Sequence, residues 1–186
     1  DPEETPEEIL QLQGEFLKTA KDAFDNKDVD TGIIKLLQAF QLTRRITPLL
    51  MLAEFCRSCK AFPMAYCLVN LACSMKIPPD LPKKDKEYSY IRWHLVGING
   101  FYTGHFKEGK QACLKAIKEG TNIILDRKNL VAYLNEEKRM KEEKELQEKN
   151  EKNEKKEDKK EEKGKKDEKT EKVPEIKEDK PESFNE

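Results

Sequence analysis

The chain reads as an all-α protein: an α-α superhelix of three stacked helix pairs closed by a capping helix, with a charged C-terminal tail. Three observations predict it. One pattern of large and small residues recurs three times along the front of the chain. Caps and prolines stand just ahead of the apolar runs, where helices begin. The final stretch then loses almost every residue that a core could use.

The recurring pattern carries most of the weight. Phe16, Ala20, Ala23, Val29, Gly32, Leu36 and Ala39 form one set. A shift of about 33 residues lands on Leu49, Ala53, Cys56, Phe62, Ala65, Val69 and Ala72. A further shift of about 44 lands on Trp93, Gly97, Gly100, Phe106, Gly109, Cys113 and Ala116. Each set runs large, small, small, large, small, medium, small. Two helices packed against each other explain it, with small side chains where the backbones come closest. A period in the low thirties built from helix pairs implies a solenoid whose units bury their apolar faces on their neighbours. Chains of this kind usually bind partners.

The elements follow in order. Thr5-Pro6-Glu7-Glu8 predicts a capped helix start, with Thr5 as cap and Glu8 reaching back. Ile9, Leu12, Phe16, Ala20 and Phe24 then keep helical spacing. Asn26-Lys27-Asp28 breaks the run, and Asp30 is placed to cap a second helix bearing Ile33, Leu36, Leu37 and Phe40. Thr47-Pro48 repeats the cap-then-proline signal for the third helix, and Pro63 stands at the front of the fourth. The prolines of Ile77-Pro78-Pro79-Asp80-Leu81-Pro82 require a loop. That loop accounts for the longer second shift. Tyr88 to Tyr102 makes the fifth helix, ended by Gly104, and Phe106 to Glu119 the sixth, ended by Gly120. Asp126 is placed to cap a seventh, whose Leu130, Tyr133 and Leu134 would cover the end of the last pair.

These signals divide the chain into a helical repeat domain at residues 6–135 and a Lys/Glu-rich tail at 136–186. In the tail roughly three residues in four are charged. Pairs such as Glu137–Lys141 and Glu145–Lys149 lie one turn apart and support a charged, coiled-coil-like helix. Gly164 and Pro174 are expected to end it, with disorder beyond.

Charge is nearly balanced, about +2 in the front and −3 in the tail. No one-signed field exists to attract nucleic acid or an anionic membrane. No apolar run approaches the roughly 20 residues of a membrane span. The opening Asp-Pro-Glu-Glu-Thr-Pro is acidic and lacks the apolar core of a signal peptide, and without an initiating Met the expectation is a chain cut from a longer protein or processed. Five cysteines, Cys56, Cys59, Cys67, Cys73 and Cys113, fit reduced, buried thiols in a cytoplasmic protein.

Candidate chemistry is sparse. Cys56-Arg57-Ser58-Cys59 has the spacing of half a zinc site, but the only histidines, His94 and His105, lie far away. Core packing is the better account of Cys56. His94 falls opposite the packed small residues and reads as surface, and His105 as a turn residue. No Ser, Cys or Lys has a base and an orienting partner beside it, and the glycines do not form a phosphate loop. Neither a metal nor a cofactor is expected. The aromatic cluster Tyr88, Tyr90, Trp93, Phe101 and Tyr102 fits packing, since stacking on single strands would also need a basic groove.

The three sets resemble the tetratricopeptide repeat. Trp93, Val96, Gly97, Gly109 and Ala116 stand where that family has its tryptophan, leucine, glycine and two alanines, and Pro78 stands near its closing proline. Gly100 replaces the usual tyrosine. A narrower likeness is carried by Arg45-Ile46-Thr47-Pro48-Leu49, Ala53, Ala65, Ala72 and Ile77-Pro78, with Phe101-Tyr102-Thr103-Gly104, Phe106-Lys107-Glu108-Gly109 and Cys113. These resemble helical repeats behind the catalytic domain of family 2 glycosyltransferases in bacteria and giant viruses. That likeness implies an accessory domain. The catalytic half, with its metal-holding Asp-x-Asp, is not expected in this chain.

In a solenoid the first helix of each pair lines the concave side. The expected partner groove therefore contains Leu17, Lys21, Phe24, Leu50, Glu54, Arg57, His94, Ile98 and Phe101. Tetratricopeptide domains that hold acidic chaperone tails use lysine and asparagine there. Here the matching positions Leu17, Leu50, Met51, Ile91 and Leu95 are apolar. The expectation is a non-catalytic scaffold whose groove takes an amphipathic helix from a protein partner or a neighbouring domain.

Overall fold

The computed structural model describes residues 5–167, with side chains as far as residue 156. Every regular element among them is helical. Six helices come first: α1 (Glu7–Asp25), α2 (Val29–Thr43), α3 (Thr47–Ser58), α4 (Phe62–Ser74), α5 (Arg92–Tyr102) and α6 (Phe106–Glu119). A π-helical turn (Glu87–Ile91) leads directly into α5, and α7 (Ile123–Asp167) closes the order. The chain divides into two units, Asp1–Glu137 and Lys138–Glu186.

In the first unit, helices adjacent in sequence are adjacent in space. α1 packs on α2, α3 on α4 and α5 on α6, while α2 meets α3 and α4 meets α5. The small residues of the repeated pattern lie inside these contacts. Ala20, Ala39, Ala53, Ala65, Ala72, Cys113 and Ala116 are all buried. One cluster joins Leu49, Leu50, Val69, Tyr88, Leu95 and Val96 across α3, α4, the π turn and α5. A smaller one sets Ala20 and Leu36 against Leu52.

The turn inside each pair repeats to the atom. Lys27, Lys60 and Gly104 all have a left-handed backbone, with φ of 63°, 61° and 76°. After each, the next amide donates back to the end of the first helix: Asp28 N to Ala23 O, Ala61 N to Cys56 O and His105 N to Gly100 O, at 2.8, 2.8 and 2.9 Å. These residues correspond under the same two shifts that align the sequence sets. The left-handed residue turns the chain and satisfies carbonyls that the ending helix leaves open.

Several local expectations are corrected. Neither Thr5 nor Thr47 caps a helix: Pro6 and Ile46 occupy those positions, without a side-chain cap bond. Thr47 instead donates to Glu87. Asp28, not Asp30, caps α2, accepting from Thr31 N at 3.2 Å. Asn122 receives Leu125 N at the start of α7, and Asp126 sits one turn in, fully buried. Tyr133 is fully buried as expected, whereas Leu134 is exposed.

The second unit continues as helix to Asp167, so Gly164 does not end it. Glycine costs a helix interior only about 1 kcal/mol against alanine, too little to stop a run that propagates from both sides. Pro174 lies outside the described residues. One-turn pairs observed among the described residues include Lys138–Glu142 and Arg139–Glu143. Glu137, expected to pair with Lys141, instead binds Lys110 of α6 at 2.8 Å. No helix of the described residues is long and apolar enough to cross a membrane.

Candidate functional site

A groove of about 770 Å³ lies between the first helices of the pairs in the first unit. α3 presents Thr47, Leu50, Met51, Glu54 and Arg57 to it, at the three- and four-residue spacing of one helix face. The π turn and α5 supply Glu87, Ile91, His94, Leu95 and Ile98 by the same spacing. Lys21 of α1 and Leu125 of α7 complete the lining. Six of the lining residues are apolar, Leu50, Met51, Ile91, Leu95, Ile98 and Leu125, and the other six carry polar groups.

Six of the residues expected at a partner groove meet here: Lys21, Leu50, Glu54, Arg57, His94 and Ile98. Three do not. The Phe24 ring lies over Gly32, where a Cβ would be 2.5 Å from it, and stacks on Phe55 at 4.3 Å. Leu17 packs against the Ala20–Leu36 cluster. Phe101 faces Tyr133, Phe106 and Tyr102 edge-on. All three are claimed by packing that depends on distant side chains. Met51, Ile91 and Leu95, noted in the sequence for their apolarity, do line the groove.

The polar groups are organised. Arg57 binds Glu54 at 2.7 Å, a half-exposed pair one turn apart. Glu87 accepts from Thr47 Oγ1. Burial raises the Glu87 carboxyl above its ordinary range, and the Thr47 bond only partly opposes this. The preceding loop is tied to the start of α3 as well. Arg45 pairs with Asp80, and Ile46 N donates to the Tyr88 hydroxyl at 3.3 Å.

His94 is not a surface residue. Its Nδ1 lies 2.6 Å from Asp126 Oδ1, and the Tyr90 hydroxyl donates to Asp126 Oδ2 at 3.0 Å. The two rings stack at 5.4 Å. Burial, and then the bond to Asp126, pushes the Tyr90 phenol up to about 12. Asp126 lies in the first turn of α7, where the helix dipole favours a carboxylate. With Asp126 accepting, Nδ1 carries the proton, and Nε2 is the ring nitrogen outside this bond. The sequence signal for this trio was weak, because 32 residues separate His94 from Asp126.

An aspartate that orients a histidine recurs in catalytic sites. Here no hydroxyl or thiol is bonded to His94 among the described residues. All five cysteines are free; Cys113 is buried, Cys56 and Cys73 partly so, but Cys59 and Cys67 are exposed rather than buried. Burial pushes the Cys113 thiol up to about 12 and Cys73 to about 11, so both are poor nucleophiles. His105 is at the turn before α6, its ring stacked on Tyr66 at 3.9 Å. An Asp-x-Asp spacing does occur, Asp28-Val29-Asp30, contrary to expectation. It forms the start of α2, with Asp28 spent as the cap. No group of three or more His, Cys, Asp or Glu suited to a metal occurs among the described residues.

Comparison of the chain with family models, curated proteins and solved structures finds no match.

Proposed function

We propose that the first unit is a tetratricopeptide-like scaffold, non-catalytic, whose groove receives an amphipathic helix. The single observation that carries this is the groove itself: about 770 Å³, lined by Leu50, Met51, Ile91, Leu95 and Ile98 together with charged side chains. A helix laid there would bury one face and keep its flanks against Lys21, Arg57, Glu54 and Glu87. The repeat reading is supported by the three equivalent turns and by the burial of the small residues in each pair. Such units stack in one direction, each contacting only its neighbours.

The test is site-specific photocrosslinking in the native host. A benzophenone side chain replaces Ile98 in the groove or Met64, which is exposed on α4. A discrete protein adduct from position 98 that disappears with Arg57→Glu, and is absent at 64, is the expected result. Equal labelling at both positions, or none at 98, overturns the reading.

A further inference from the structure

The π turn and the start of α5 face two ways. Glu87, Ile91 and His94 line the groove, while Tyr88, Ser89, Arg92 and Trp93 line a second pocket of about 660 Å³. Lys76 and Lys83 belong to its wall from the loop after α4, and Glu119 from the last turn of α6. Three cations therefore meet one carboxylate in a single concavity. Among the described residues none of the three has an ion-pair partner, Glu119 included.

Arg92 is the unusual member. Its Nη1 donates to Ala72 O at 3.2 Å and Met75 O at 2.8 Å, at the end of α4. Its guanidinium lies 5.3 Å from the Tyr88 ring centre and 5.2 Å from that of Trp93. Nε is buried without a hydrogen-bond partner. The other partly buried arginines, Arg45 and Arg57, each hold a carboxylate. A guanidinium in this position loses part of its hydration, and two carbonyls and two ring faces return only some of that loss. An anion in the pocket supplies the missing counter-charge.

The cations also select the kind of anion. Three against Glu119 leave an excess of two positive charges, and Lys115, 3.8 Å from the Trp93 ring centre, adds to it. A single carboxylate would neutralise one of them. A phosphate group brings about two negative charges and three acceptor oxygens, and pairs well with an arginine fork and lysine point charges. The volume is in the range of small-molecule sites, about 300–1,000 Å³. We propose that this pocket binds a small phosphorylated molecule, its phosphate oxygens held by Arg92, Lys76 and Lys83. The site is separate from the helix groove and does not depend on it.

Trp93 is the only tryptophan of the chain, so its fluorescence reports on the pocket directly. The full chain is titrated with inorganic pyrophosphate at constant ionic strength, with citrate and sodium chloride as controls. Calorimetry measures the heat in parallel. The expected result is a saturable response to pyrophosphate, at least about tenfold weaker for citrate. Lys83→Ala should weaken binding by about tenfold, and so should Arg92→Lys, which keeps the charge and loses the fork. Glu119→Gln should tighten it by about threefold, by removing a like charge from the wall. Lys83 and Glu119 are exposed, so circular-dichroism melts should match the wild type, and a gain of affinity does not come from misfolding. The absence of both heat and fluorescence change overturns the proposal. Equal binding of citrate does so too, as does an affinity indifferent to Lys83→Ala and Glu119→Gln.

Discussion

Tyr133 occupies the space that a side chain at Gly109 would need: a Cβ there would stand 1.9 Å from the tyrosine hydroxyl oxygen. The same hydroxyl donates to Gly97 O at 2.7 Å, and the residue is fully buried. The first turns of α7 are thus pinned between α5 and α6 by one side chain. Gly109→Ala should therefore destabilise the fold by about 1–3 kcal/mol, despite alanine's better helix propensity. In a Tyr133→Ala background that cost should vanish. A double-mutant cycle by chemical denaturation measures it, and additive costs would mean that the two residues do not meet.

The inter-helix turns make an independent prediction. A non-glycine residue in the left-handed region costs about 1–2 kcal/mol, partly offset by the larger entropy that glycine loses on folding. Lys60→Gly should leave stability unchanged or raise it by up to about 1 kcal/mol, and Gly104→Ala should lower it by about 1 kcal/mol. Thermal melts check both. A loss with Lys60→Gly would show that the lysine side chain contributes something the turn geometry does not contain.

The buried carboxylate of Asp126 serves two donors, Tyr90 and His94. Asp126→Ala strands both and should cost about 2–4 kcal/mol, since an unsatisfied buried polar group costs about 1–3 kcal/mol. Asp126→Asn keeps volume and one acceptor, and should cost less than half as much. The two-dimensional NMR signal of the His94 ring should shift in both variants, while that of His105 stays in place.

Glu87 gives a pH signature. Burial raises its carboxyl in the folded state above its unfolded value, so folding favours the protonated form. The stability it contributes is present below the ordinary carboxylate range and is lost as pH rises through the folded value. Glu87→Gln keeps an acceptor for Thr47 and removes the ionisation. The variant should be more stable than the wild type at neutral pH, and the difference should close as pH falls below the ordinary carboxylate range. A gap that widens on acidification would reverse the sign.

Much of the architecture was legible because it is local. Helix spacing, the proline-rich loop and the glycine ends at Gly104 and Gly120 depend on residues within a turn or two of each other. The small positions were legible too, but not their cause. Gly32 is small because the Phe24 ring covers it, Gly97 because Cys113 Sγ would lie 2.8 Å from a Cβ, and Gly109 because of Tyr133. Each is filled by a particular side chain, where the pattern suggested only close backbones. The groove was partly legible for the same reason. Leu50, Glu54 and Arg57 share a face that spacing alone reveals. Phe24 and Phe101 share such faces as well, yet both are taken up by neighbouring rings instead.

Amino-acid order alone settled the helical class, the positions of the turns inside each pair and the place where core-forming residues run out. Periodicity and turn chemistry act over a few residues, so no distant partner was needed to see them. The Tyr90–Asp126–His94 trio, the seating of Tyr133 and the choice of side chains facing the groove were settled by packing. Each joins residues more than thirty positions apart, or depends on which of several helix faces a neighbour covers. A buried aspartate and a helix-capping aspartate are the same residue in a one-dimensional reading. Only the arrival of α5 beside α7 makes Asp126 the first.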